Sequence, residues 1–279
     1  MKSSLTKALA AAGVLASLGF AASPAMAALY NPFTVDEGSV PGANPALISN
    51  AGRITGGYSE VITFNATTAT QGSFAASIKW NAGQFLDTSA VGNPLTNQLG
   101  SSTTNQYMMY ALVLATGNYT INGSATTFTP DANVGSLSLW IDPSSNTTFT
   151  APSNGGTPWT LGNNGEDYQL ASGVITGGSG YLNPALLCPG GSTINCGSFG
   201  TNTSFNLTAA GKQYFTIPSP FYNVSLQSGQ LNNFTIGGTQ TINGSMDVVF
   251  KTVPEPASLA LVGLGLLGMG VSLRRRKQS

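Results

Sequence analysis

The sequence contains no histidine, which rules out Ser–His–Asp and Cys–His nucleophilic catalysis and the usual zinc sites. Carboxylates are the remaining candidates. Between residues 28 and 252 the acids are Asp36, Glu37, Glu60, Asp87, Asp131, Asp142, Glu166, Asp167 and Asp247. Glycoside hydrolysis needs two of them about 5–10 Å apart across a sugar, and no segment sets such a pair opposite an aromatic platform. Glu166 and Asp167 are adjacent, so on a strand they point to opposite faces, and they read as a solvated loop pair. Asp142 precedes a proline and reads as a turn cap. Calcium takes six or more oxygens, and there is no D-x-D-x-D-G loop. The expectation is a non-enzyme with no metal and no cofactor, a secreted hydrolase being the weakest alternative.

Three tryptophans could stack on a sugar. Trp80 shares a strand face with Ile78 and reads as core. Trp140 is out of phase with Leu137, Leu139 and Ile141, so it points outward; Trp159 lies in a Gly/Pro/Asn-rich loop. Trp159 and Trp140 are therefore the possible carbohydrate contacts, with Tyr168 or Tyr181 as helpers. Cys188 and Cys196 bracket a seven-residue loop and read as a disulfide in an exported chain.

The elements that must carry these residues are strands. Period-two patterns run through Tyr58–Phe64, Phe74–Trp80, Gln106–Ala115 and Leu137–Ile141. Further candidates are Tyr168–Thr176, Phe205–Thr208, Gln213–Ile217, Leu231–Ile236 and Thr239–Phe250. Turns are expected at Asn93-Pro94, Asp142-Pro143, Asn154-Gly155-Gly156, Asn163-Asn164-Gly165 and Gly177-Gly178. No capped helical period of ten residues occurs. The fold class is all-β, read as a β-sandwich or jelly roll. Ile54-Thr-Gly-Gly57 recurs at 175–178 and Thr120-Ile-Asn-Gly-Ser124 at 241–245, both offset by 121 positions, which raises the question of an internal duplication.

Both ends carry targeting patterns. Lys2 and Lys7 precede an apolar run from Leu9 to Ala22, and Ala25-Met26-Ala27 fits signal-peptide cleavage before Ala28. Residues 1–27 are thus a signal peptide and 28–252 a secreted all-β ectodomain. Residues 253–279 begin with the stiff tripeptide Pro254-Glu255-Pro256. An uncharged span follows over 257–273, about 25 Å long as a helix, slightly short of a bilayer core. Arg274, Arg275, Arg276 and Lys277 close the segment, and the positive-inside rule leaves them in the cytoplasm.

This order of parts resembles the PEP-CTERM sorting signal. The resemblance implies a Gram-negative exporter of polysaccharide, an exosortase that cuts near Pro254-Glu255-Pro256, and only transient residence of 257–273 in the inner membrane. An ordinary single-pass anchor would not need the Pro-Glu-Pro collar. Asn31-Pro-Phe-Thr-Val-Asp-Glu-Gly-Ser-Val-Pro-Gly42, with Ile54-Thr-Gly-Gly-Tyr-Ser-Glu-Val-Ile-Thr-Phe64, resembles the flocculation-associated PEP-CTERM proteins. That likeness implies a matrix or cell-surface protein acting with exopolysaccharide in flocs or biofilm. A lectin-like carbohydrate-binding module is the alternative.

Charge agrees with an extracellular role. Residues 28–252 carry nine acids against four bases, a net charge of −5, where a nucleic-acid binder needs a basic patch. Nucleic acid is excluded as a partner.

Overall fold

The computed structural model describes residues 30–100, 106–189 and 195–252. The expected signal peptide with Ala25, Ala27 and Ala28, and the segment 253–279, lie outside the described residues. Among the described residues no helix is long and apolar enough to cross a membrane.

The chain starts with β1 (Phe33–Asp36) and a 3₁₀ turn (Glu37–Ser39), then two long strands, β2 (Leu47–Ala66) and β3 (Gln71–Asp87). β4 (Met108–Asn122), β5 (Ala125–Pro130) and β6 (Ser136–Asp142) follow. Next come β7 (Thr148–Thr150), β8 (Thr160–Gly162), β9 (Tyr168–Gly173) and β10 (Ile175–Leu182). After the short helix α1 (Pro184–Leu187) run β11 (Gly197–Ser204), β12 (Asn206–Leu207), α2 (Ala209–Tyr214) and β13 (Phe215–Ile217). β14 (Val224–Leu231) and β15 (Gly238–Lys251) complete the fold.

The all-β expectation holds, but the architecture is a barrel. Eight antiparallel strands close in the order β2-β3-β4-β5-β10-β11-β14-β15 and back to β2. Closure removes the open edges that a sandwich would leave. The sheet also forks at β4. Gly117–Asn122 pair with β5 inside the barrel, whereas Met108–Leu114 pair with β6, which continues to β9 and β12. At the same end β1 pairs with β2 and with β13. A register shift between Thr55 and Gly56 bends β2 against β3, and a Cβ on Gly56 would overlap the Asn81 carbonyl oxygen.

The fork produces two cores. In the open half, Phe33, Phe205, Phe215, Phe221 and Phe250 pack ring against ring, with centroid spacings down to 4.9 Å. Each such pair adds about 0.5–1.5 kcal/mol beyond its area burial. In the closed half, Ile62, Phe64, Phe74, Tyr119, Phe128 and Ile242 fill the barrel, beside a Cys188–Cys196 disulfide.

Several local expectations are corrected. Leu231–Ile236 is not a strand; the strand there is β14, whose inward Ser225 and Gln227 are polar and bond to each other and to Thr203 of β11. A polar inner face carries no hydrophobic period, so β14 and β11 were invisible to one. Gly177-Gly178 lies inside β10 rather than in a turn, and residues 213–214 end helix α2 rather than opening a strand. The repeated Thr-Ile-Asn-Gly-Ser segments occupy unlike places: 120–124 spans the β4–β5 turn with Gly123 at φ +62°, and 241–245 lies within β15. They give no structural support to a duplication.

Candidate functional site

Alternation decides which side chains face outward on the forked sheet. On β3 these include Ser77 and Lys79, on β4 Tyr110, Leu112 and Leu114, and on β6 Ser136, Ser138 and Trp140. Residues 143–167, including the β7–β8 hairpin, fold back over this face as a strap.

Both ends of the strap are tied by carboxylates. Asp142 is fully buried; its Oδ1 accepts from the Ser144 N–H at 2.9 Å and its Oδ2 from the Thr147 N–H at 2.8 Å. Asp167 Oδ2 accepts from the Tyr110 hydroxyl at 2.6 Å and the Thr147 hydroxyl at 2.8 Å, whereas its buried Oδ1 has no partner. Partial burial raises the Asp167 carboxyl above the usual range against those two donors. Glu166 is held below its usual range by its own backbone N–H and by the Ser144 and Asn146 side chains. Oxygens of Asp142, Glu166 and Asp167 lie within 4.8 Å of one another. The sequence treated these acids as separate; β6 and β9 pair antiparallel and bring them together. An all-oxygen set is what a hard cation such as calcium takes. In this structure the carboxylates hold the strap, with each Asp142 oxygen accepting from a backbone N–H of the turn that follows it.

The middle of the strap is pressed onto β2 and β3. The Gly155 N–H donates to Thr63 Oγ1 at 2.9 Å, and a Cβ there would overlap the Ala75 carbonyl oxygen. Asn154 Oδ1 holds the turn by accepting from the Gly156 N–H and the Thr157 hydroxyl. Phe149 stands edge-on to Tyr110 at 5.0 Å, and Tyr110 lies parallel to Trp140 at 6.5 Å. Lys79 Nζ sits 4.8 Å from the Phe149 ring centre and 5.8 Å from that of Trp159. Desolvation there lowers the Lys79 pKa.

Trp159 ends the strap's crossing. Its Nε1 donates to the Ser77 carbonyl at 3.2 Å, which fixes the indole beside a groove of about 150 Å³. Ser77, Leu112, Leu114, Ser136 and Ser138 line the groove opposite Pro158 and Trp159. Ser77 is only 1% exposed and its Oγ has no hydrogen-bond partner.

The two tryptophans assigned to carbohydrate therefore part company. Trp159 borders a groove, while Trp140 points outward as its phase required but is half-buried in the Tyr110 stack. Trp80 is core, with its Nε1 donating to the Met246 carbonyl. Tyr168 packs on the open-half core, and Tyr181 is exposed on β10; neither lines the groove. Reading the sequence singled out neither the groove serines nor Ser77. The signal was present, since Ser136 and Ser138 alternate with Leu137 and Leu139 on one strand.

The barrel thus carries on its outer face a groove lined by aromatic, aliphatic and serine side chains. Residues 252–277 match the PEP-CTERM protein-sorting motif. The motif marks it for export, for the cell surface or extracellular space, and for processing by an exosortase. No curated protein and no solved structure matches the chain.

Proposed function

We propose that the exported barrel is a non-enzymatic extracellular matrix protein that acts with exopolysaccharide in flocs or biofilm, and that the Trp159 groove is its polysaccharide contact. The observation that carries this reading is the indole fixed beside Ser77, Ser136 and Ser138. A sugar ring offers an apolar face to the indole and hydroxyls to the serines. A buried Ser77 Oγ without a partner gains a hydrogen bond when a hydroxyl enters, and an unpaired buried polar group is costly. Among the described residues no charged side chain lines the groove, the Lys79 ammonium lying 5.8 Å from the Trp159 ring centre, which suits a neutral or weakly charged polymer. The low charge of the rest of the surface removes the repulsion that would keep copies apart in a dense matrix.

The test is retention of the secreted protein on exopolysaccharide from the producing culture. Trp159→Ala is expected to weaken retention about tenfold, equivalent to about 1.4 kcal/mol. The double variant Ser136→Ala/Ser138→Ala, which leaves the indole's hydrogen bond intact, is expected to weaken it less. A folded Trp159→Ala protein retained as well as wild type would discard the groove as the contact.

A further inference from the structure

The closed half of the barrel contains a second cavity, unconnected with the Trp159 groove in residues or chemistry. Ile62, Phe74, Phe128, Leu231 and Ile242 line it, and Phe234 from the β14–β15 connection stands against Phe64 and Phe128 beside it. The centre of a water-sized sphere has about 80 Å³ to explore there. That is several times the roughly 10–15 Å³ that one water requires. Eight-stranded barrels are just wide enough either to fill with side chains or to hold one small ligand.

One lining residue does not belong to an apolar wall. Glu60 is in phase with Tyr58, Ile62 and Phe64, so its carboxyl enters the barrel, and the residue is 8% exposed. Among the described residues it has no hydrogen-bond or ion-pair partner. Its cross-strand neighbours, Ile78 on β3 and Ile242 on β15, are apolar. Of the other lining groups only the Ser179 and Thr201 hydroxyls are polar. The titratable group that feels its charge is Tyr58, whose hydroxyl already donates to the Gln230 carbonyl. Among the described residues no base lines the cavity: Arg53 faces Asp247 at 3.5 Å, and Lys79 is on the outer face.

We propose that this cavity binds a small apolar amine, with a short alkyl or single-ring body against Phe74, Phe128 and Ile242 and its ammonium on the Glu60 carboxylate. An opposite charge a few ångströms away is what a buried carboxylate lacks here, and in a low-dielectric wall that partner discriminates strongly. An anionic ligand would meet like charge. Burial alone pushes the Glu60 carboxyl up to about 7, so an ammonium binds with release of the carboxyl proton to solvent, and binding strengthens as pH rises through that value.

The test is calorimetric titration of the secreted protein with hexylamine, hexan-1-ol and hexanoate at pH 6 and pH 8. Hexylammonium is expected to bind at least tenfold tighter than hexanol, and tighter at pH 8 than at pH 6. Hexanoate is expected not to bind at pH 8. Glu60→Gln should bring hexylamine down to the affinity of hexanol, and Ala76→Leu, which fills the cavity without touching the carboxyl, should remove both. Equal affinity for amine and alcohol, or an unchanged Glu60→Gln protein, would overturn the amine assignment. Failure of all three ligands to bind, or hexylamine binding that survives Ala76→Leu, would overturn the cavity as the site.

Discussion

Asp142 and Glu60 are both buried acids on paired strands, yet their surroundings are opposite. Asp142 sits at the end of β6, where the chain turns back and two backbone N–H groups converge on its oxygens. Glu37, in the 3₁₀ turn after β1, is a third buried acid, satisfied instead by groups distant in sequence: the Gln98 backbone and side chain and the Tyr107 hydroxyl. Glu60 sits mid-strand, where every nearby backbone group is committed to the ladder and the facing side chains are apolar. A carboxylate at a strand end is satisfied by its own turn; one in mid-strand must find a side chain or a ligand. The strap acids thus serve the fold, whereas Glu60 costs the fold stability and is available for something else.

The largest expected effect comes from removing the satisfied acid. Asp142→Ala leaves the Ser144 and Thr147 N–H groups without their acceptor and frees one end of the strap. A loss of about 3–5 kcal/mol in chemical denaturation is expected, since bonds to a charged group count about 1.5–3 kcal/mol each. Because the strap carries Trp159, polysaccharide retention should fall with it. A loss under about 1 kcal/mol would show that the strap is held elsewhere and would erase the contrast with Glu60.

The next effect has the opposite sign. The Glu60 carboxyl lies at about 7 in the folded protein and near its ordinary 4.5 when unfolded, so the unfolded state gives up its proton first. Stability is therefore lost as pH rises from about 4.5 through 7 and is fully present below that window. Glu60→Gln removes the dependence. It should be more stable than wild type by up to about 3 kcal/mol at pH 8, and within about 0.5 kcal/mol of it at pH 4. Denaturant melts of both proteins at the two pH values decide this. A variant less stable than wild type at pH 8 would mean that the carboxylate has a partner after all.

Much of this was legible before any fold was known, and what was not has a common cause. Alternation placed Trp80 inside and Trp140 outside because β3 and β6 each have one apolar and one mixed face. It failed on β11 and β14, where Thr203, Ser225 and Gln227 put polar groups in the interior. Glu60 itself was readable, as an acid in phase with Tyr58, Ile62 and Phe64, but it signals a cavity only once β15 and β3 are known to flank it with isoleucines. The convergence of Asp142 with Glu166 and Asp167 depends on β6–β9 pairing across a 25-residue connection, which no local pattern encodes. Closure into a barrel depends on β5 and β10, short strands rich in Thr and Gly.

The smallest effect tests whether the strap acids differ among themselves. Tyr110 is wholly buried between Trp140 and Phe149, and its hydroxyl is one of two donors to Asp167 Oδ2. Asp167 is thus intermediate between the saturated Asp142 and the bare Glu60: burial raises its carboxyl and two hydroxyls pull it back. Tyr110→Phe keeps the ring stack and removes one donor, so the Asp167 pKa should rise further and about 1–2 kcal/mol should be lost. The loss must be larger at pH 7 than at pH 3, because acid protonates a carboxyl raised above its ordinary range and the neutral group accepts a weaker bond. Thermal melts of the variant and wild type at the two pH values read it directly. An equal deficit at both would assign the hydroxyl to packing alone, and the gradation from Asp142 through Asp167 to Glu60 would reduce to a division between paired and unpaired acids.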